Sequence, residues 1–392
     1  MRKLRRRHGA TALAGLGLVV ALTAAGCGSQ DAAPEPDGGD RAITDAMNAA
    51  VRAGIPGIQV VINGPDGQRT RTAGVGDTGT GAPIPDQARI RIGSNTKTFV
   101  ATVLMQLAAE GAVELDAPIE RYLPGVVRGN GNDGNRISVR QLLQHTSGLP
   151  DYLASADPAM RDAVNAAQVQ VLQPETRWRQ YHSADLVRLA MTMPPQFEPG
   201  ARSVYTNTNY LLLGMLIEKV TGRTAAAEIG TRIIDKLGLK DTYFPAEGET
   251  VIRGTHPKGY QMIDGKQVDY TDLNPSWGDT AGAMVSTGAD LNRFFTAVAN
   301  GDLVPAAQLA QMKQTVPFDR MPGAGYGLGL ILEHTPCGKD VWGHGGSIPG
   351  FSTRGGVTAD GRAVNVTVNQ LPADDASAEL VGKVVDTAFC AE

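Results

Sequence analysis

Ser94 and Lys97 stand three residues apart in Gly93-Ser94-Asn95-Thr96-Lys97-Thr98-Phe99-Val100. Phe99, Val100, Val103, Leu104 and Leu107 recur at helical spacing behind them, which predicts a buried helix over Thr96 to Glu110 with the serine at its N-terminus and the lysine one turn on. Residues three apart share a helix face, so the Lys97 amine can reach the Ser94 hydroxyl. A lysine pressed against an apolar core loses hydration, its pKa falls, and the neutral amine can take the serine proton. The helix N-terminus adds positive potential and a free backbone N–H for a developing oxyanion. Taken alone, the pair is weak evidence and is far more often a serine N-cap followed by a surface lysine.

Two further groups of residues have complementary chemistry. Tyr205-Thr206-Asn207 precedes an apolar helical segment, Asn209 to Val220. A phenol beside a lysine can carry a proton between nucleophile and leaving group, and an amide such as Asn207 can hold both the lysine and a substrate carbonyl. Trp342-Gly343-His344-Gly345-Gly346-Ser347 reads as a short strand in which Gly345 and Gly346 let a substrate backbone lie close. The Ser347 N–H is the candidate second oxyanion donor beside that of Ser94. The plain alternatives are turn caps for Tyr205 and Asn207 and a structural histidine for His344. His145, in a His-Thr-Ser-Gly-Leu turn, is read as a structural anchor.

The elements that must position these residues come from both ends of the chain. Alternating segments Gly57 to Ile62 and Arg69 to Gly74 flank Pro65-Asp66-Gly67, and Phe351 to Val357 and Ala363 to Val368 flank Asp360-Gly361; both junctions are turn chemistry. Helical patterns cover Ile43 to Ala53, Val139 to Gln144, Ala184 to Met191, Ala225 to Lys236, Ala289 to Ala299 and Ala376 to Phe389. The architecture expected is α/β in the α+β sense: an antiparallel sheet built from both termini, flanked by helices, with an all-helical lobe inserted between.

The first 27 residues carry Arg2, Lys3, Arg5, Arg6 and Arg7, then an apolar run to Ala25, then Gly26-Cys27. The run is shorter than the roughly 18 to 20 residues of a comfortable membrane span, and the pattern predicts an export signal by the general secretion route. Ala24, Ala25 and Gly26 before Cys27 resemble a lipobox, so Cys27 is the expected lipidation site and a lipid the only membrane attachment; plain secretion is the alternative. Residues 28 to 40 read as a polar, Pro/Gly-rich tether, and 41 to 392 as one folded domain. The whole chain holds 36 Lys+Arg against 40 Asp+Glu. Loss of the five basic leader residues leaves 31 against 40, about −9, which disfavours a nucleic-acid partner.

With Cys27 lipidated, Cys337 and Cys390 form an even pair in an oxidising compartment and are expected to bridge, against the alternative of two buried thiols. No His-x-x-x-His, Cys-x-x-Cys, Walker or strand-anchored Gly-x-Gly-x-x-Gly pattern occurs, so no metal and no cofactor is expected.

In the order Ser-x-x-Lys, Tyr-x-Asn, His-x-Gly, the three groups resemble the serine β-lactamase and D-alanyl-D-alanine carboxypeptidase superfamily in its class C-like, penicillin-binding branch. Further landmarks in order extend the resemblance over roughly Ala42 to Cys390: Ile137 to Leu149, Pro199-Gly200, Leu237-Gly238-Leu239, Thr280-Ala281-Gly282-Ala283 and Gly325 to Gly329. Within it the chain looks most like secreted actinobacterial D-alanyl-D-alanine carboxypeptidases, including the Cys337/Cys390 placement and Trp277. The resemblance implies a monomeric serine hydrolase that acylates Ser94 and acts on peptidoglycan stem peptides, with β-lactams as inhibitors or substrates. Lys97 and Tyr205 would move protons, and Asn207, His344, Gly346, Ser347 and Trp277 would line the substrate. One departure is visible. Those carboxypeptidases bind the terminal carboxylate through an arginine where this chain has Ile331-Leu332-Glu333, and through hydroxyls beside a His-x-Gly whose variable residue is Gly345 here; Arg354 is the candidate substitute. A β-lactamase or esterase on the same site, and a silent lipoprotein that binds cell-wall peptide, are the competing readings.

Overall fold

The computed structural model describes residues 38–65, 67–153 and 173–391. The leader, Cys27, most of the expected tether and Asp66 of the first turn lie outside the described residues. Eight strands form one antiparallel sheet: β1 Gly57–Gly64, β2 Gly67–Gly74, β3 Val316–Pro317, β4 Gly325–Tyr326, β5 Ile331–His334, β6 Asp340–Ile348, β7 Phe351–Thr358 and β8 Ala363–Val368. Their spatial order is β2-β1-β8-β7-β6-β5-β4-β3. Segments from the early and late parts of the described residues thus meet at the β1/β8 pair, where Ile58 lies opposite Val368 and Ile62 opposite Val364. The two predicted hairpins are present. Strands β3, β4 and β5 are additions to the reading, at two to four residues too short to show an alternation.

Strand β8 is buried along its whole length, as expected of a strand covered on both faces. One face carries Ile58, Val60 and Ile62 of β1 and Val364, Val366 and Val368 of β8 against two helices, α1 Gly38–Arg52 and α5 Asp375–Cys390. The other face meets α4 Gly288–Asn300, whose Asn292 Nδ2 donates to Val61 O at 3.0 Å. The period-2 alternation of the strand sends even and odd positions into two cores. Helix α2, Thr96–Ala109, is buried on almost every side. Its Phe99 stacks on Phe294 of α4 with ring centroids 3.7 Å apart, and α3, Asn207–Thr221, supplies Leu211, Leu212, Leu216 and Ile217 to the same core.

Most boundaries fall within two residues of those predicted. Helix α1 does not: it begins at Gly38, so the end of the expected 28 to 40 tether is helical. Asp40 in its first turn is buried and accepts from Arg71 on β2, with Arg69 at 3.6 Å, and a carboxylate also suits a helix N-terminus. The predicted helix Ala225 to Lys236 is interrupted by a π turn over Gly230–Ile234.

Cys337, in the turn between β5 and β6, is bonded to Cys390 at the end of α5, at a sequence separation of 53. Closing a loop of that length constrains the unfolded chain by about 4 kcal/mol in the chain-entropy model. The double variant Cys337→Ser/Cys390→Ser should therefore lose about 3 to 4 kcal/mol of stability in urea unfolding under non-reducing conditions, with the native protein moving to the variant's midpoint when reduced.

Candidate active site

Ser94 sits in a single 3-10 turn, Gly93–Asn95, that leads directly into α2. The turn is pinned from within: Asn95 Nδ2 donates to Ile92 O at 2.9 Å and Thr96 Oγ1 to Gly93 O at 2.8 Å. It is also pinned by β6. A Cβ on Gly346 would lie 2.0 Å from Ile92 O and 2.9 Å from Ser94 N, and one on Gly93, whose φ is +50°, would lie 2.9 Å from Ser347 N. Two glycines thus let the strand edge and the nucleophile turn touch. Gly346 allows this approach and also lines the cleft. The backbone amide of Ser94 and that of Ser347 are brought to the same end of the cleft.

One turn into α2, the Lys97 amine is fully buried. Three oxygens surround Nζ: Ser94 Oγ at 3.1 Å, Asn207 Oδ1 at 2.8 Å and the backbone oxygen of Ala281 at 2.6 Å. Two of them accept only. A neutral amine has two N–H bonds and one lone pair; with Asn207 and Ala281 taking the hydrogens, the lone pair is left for the Ser94 proton. The Asn207 orientation is itself fixed, since Asp151 Oδ2 accepts from its Nδ2 and from its backbone N–H, each at 3.0 Å. Burial lowers the Lys97 pKa well below its ordinary value, Asp151 opposes the shift and Arg320 adds to it. Asp151, buried as well, has its own pKa raised by desolvation against the hydrogen bonds it accepts.

Tyr205, on the lead-in to α3, lies with its ring centroid 4.8 Å from Lys97 Nζ. Its hydroxyl is buried without a hydrogen-bond partner in the protein, though close enough to Ser94 for the serine to favour the phenolate; burial dominates and pushes the phenol upward. The ring is packed by His145 at 4.2 Å between centroids and by Phe318 at 5.9 Å. His145 has φ +59°, its backbone oxygen accepts from Val204 N–H at 3.0 Å, and its Nδ1 faces Thr206 N–H at 3.3 Å. It thus ties its own turn to the segment that carries Tyr205.

His344 on β6 is buried, and burial lowers its pKa to about 3, so its ring is neutral. Nε2 meets the Tyr326 hydroxyl at 3.0 Å. Ser94, Tyr205, Asn207, Trp277, His344, Gly346 and Ser347 all line one cleft of about 600 Å³. The sequence reading missed Asp151, the Ala281 carbonyl and Arg320. Asp151 lies two residues past the His145 to Leu149 turn, Ala281 acts through its backbone, and Arg320 lies in a loop without periodicity, so residue type alone gave no signal.

Ile331, at the position where the resemblance leads one to expect arginine, also lines the cleft. Arg354 does too, but its Nη2 is 3.1 Å from Glu333 Oε2. No cluster of His, Cys, Asp and Glu suited to a metal occurs among the described residues.

Residues 40–386 match the family model described as Beta-lactamase. Among solved structures, a D-stereospecific amidohydrolase from Streptomyces sp. is 40% identical with a TM-score of 0.80, covering 90% of this chain and 99% of that one. A D-amino acid amidase from Ochrobactrum anthropi is 26% identical with a TM-score of 0.74, covering 90% and 98%. Penicillin-binding protein 4* of Bacillus subtilis is 28% identical over 69% of this chain, a match that spans only 58% of that protein's own length.

Since acylation needs the free amine, kcat/KM should rise with pH through the lowered Lys97 pKa, level off, and fall only when Tyr205 loses its proton far above neutrality. A pH–rate profile on a chromogenic ester substrate checks this. Replacement Lys97→Arg, which cannot shed its proton, should cost a factor of about 10² to 10⁴, and a rate that declines from pH 5 to 8 would contradict the assignment.

Proposed function

We propose, from the premise that this chain belongs to the beta-lactamase family of serine hydrolases, that it hydrolyses amide bonds on the carboxyl side of D-amino-acid residues through a Ser94 acyl-enzyme. The observation that carries the reading is the Lys97 amine held between two acceptor-only oxygens with its remaining contact on Ser94 Oγ.

In the proposed sequence Lys97 takes the Ser94 proton as Oγ bonds to the substrate carbonyl carbon. The Ser94 and Ser347 amides hold the oxyanion. Collapse breaks the C–N bond, and Tyr205, protonated at the outset, gives its proton to the departing nitrogen and is reprotonated from Lys97. Water then enters by the reverse path, losing its proton to the Tyr205/Lys97 pair, and the acid leaves with Ser94 restored. Asp151 and Asn207 position the amine, and Trp277 and His344 wall the cleft.

The D-residue preference is supported by the amidohydrolase and amidase relatives. A D-alanyl-D-alanine carboxypeptidase acting on cell-wall peptides is the narrower form of the same chemistry, in line with the penicillin-binding relative. It requires a hold on a terminal carboxylate. With Ile331 in the arginine's place and Arg354 engaged by Glu333, the expected charge-assisted contact, worth about 1.5 to 3 kcal/mol, has no support at that position. We therefore favour substrates whose leaving group is a neutral amine or amide over those that end in a carboxylate. We further place the enzyme outside the cytoplasm on a Cys27 lipid, a reading that the Cys337–Cys390 bond supports.

Turnover of D-phenylalanine amide, L-phenylalanine amide and a D-alanyl-D-alanine peptide tests the proposal. The D-amide should exceed its L form by at least about a hundredfold and exceed the peptide by about tenfold or more. Equal rates on the two enantiomers, or hydrolysis of the peptide alone, would refute it.

A further inference from the structure

Two cationic side chains lie over one phenol in this cleft. Lys97 Nζ is 4.8 Å from the Tyr205 ring centroid, and the Arg320 guanidinium carbon is 4.3 Å from the same point. Arg320 comes from the loop after β3, is exposed to solvent, and lines the cleft. Its neighbour Asp319 is turned to the Tyr205 backbone N–H at 3.3 Å, and the other cleft arginine, Arg354, is committed to Glu333. Two charges this close to one ring are within about a Debye length of each other at physiological ionic strength. A guanidinium does not deprotonate, whereas an amine does. The pair is therefore relieved by loss of the Lys97 proton.

Other ionisable groups face Lys97 as well. Asp151, from the loop after Leu149, favours the charged amine. His145 before that loop and His344 on β6 are neutral through burial. Tyr205, Tyr210 on α3 and Tyr326 on β4 all hold their protons. Among these groups Asp151 is the one anion that draws a proton onto Lys97, and Arg320 is the fixed cation that opposes it.

We infer that Arg320 is a positioning residue of this site: its permanent charge, stacked on Tyr205, adds to the effect of burial in disfavouring a proton on the Lys97 amine and eases release of the phenol proton to the leaving group. The inference rests on the acyl-enzyme reading for its purpose, but not for its measurement. The direction is consistent with the influence of Arg320 on both residues, which favours the neutral amine and the phenolate. The charge also offsets part of the pull of the buried Asp151 carboxylate on the Lys97 proton, which gives a role to a residue that has no ion pair among the described residues.

The test uses full-length domain protein labelled with [13Cε]lysine, in which the Lys97 resonance is identified by its loss in Lys97→Met and titrated without any substrate. In Arg320→Gln the Lys97 transition should move upward by about half a pH unit, the size expected of one screened charge at this distance. In Arg320→Lys it should stay within about 0.2 units of wild type. Added salt should move the wild-type transition upward and leave Arg320→Gln in place. A Gln variant that titrates with wild type, or a Lys variant displaced as far as the Gln variant, overturns the inference. Because turnover is not used, such a result leaves the proposed reaction standing, while absence of any acylation in wild type would count against the reaction alone.

Discussion

A lysine amine without access to water, held by three oxygens of which two can only accept, is the constraint around which the rest of the structure is arranged. Burying such a group costs several kcal/mol when it is charged, and the cost is avoided when the proton is absent. Desolvation therefore creates the base, and the acceptors decide where its lone pair points. Each acceptor belongs to a different part of the chain: Asn207 opens α3, and Ala281 lies in the short helical segment Asp279–Gly282. Only the folded state brings them to α2.

The sheet supplies the other half of the site. Strand β6 is one of the inner strands, paired in register with β7 from Val341 opposite Thr358 to Ile348 opposite Phe351. That pairing holds Ser347 and His344 at a fixed height beside the nucleophile turn. Two missing Cβ atoms, at Gly93 and Gly346, set the separation. A methyl at Gly346, 2.0 Å from Ile92 O, would drive the strand and the turn apart by about an ångström, enough to misplace an oxyanion donor, and one at Gly93 would crowd Ser347 N at 2.9 Å. The Tyr205 ring is held by packing rather than by hydrogen bonds, against His145 and Phe318, which leaves its hydroxyl unengaged by the protein and directed to the reaction.

Much of this was legible in the residues. Helix α2 announces itself by the spacing of Phe99, Val100, Val103, Leu104 and Leu107, and that spacing fixes the relation of Ser94 to Lys97. Strands β1, β7 and β8 show through alternation and turn chemistry. Strands β3 to β5 do not, because strands of two to four residues are too short to carry a period. The start of α1 depends on ion pairs from Asp40 to β2, a tertiary effect that local composition misses. Of the site, the side chains with reactive groups were identifiable, whereas the groups that orient them were not. Ala281 contributes a carbonyl that every residue has, and Asp151 and Arg320 act by position alone.

The central claim is that Ser94 Oγ becomes acylated because the Lys97 amine takes its proton. Intact-protein mass spectrometry after rapid mixing with a nitrophenyl ester or benzylpenicillin measures this directly. The account predicts a single acyl adduct, mapped to the peptide containing Ser94, absent in Ser94→Ala and formed at least about 10³-fold more slowly in Lys97→Met. An adduct that persists in Ser94→Ala, or one that forms at an unchanged rate in Lys97→Met, would contradict it.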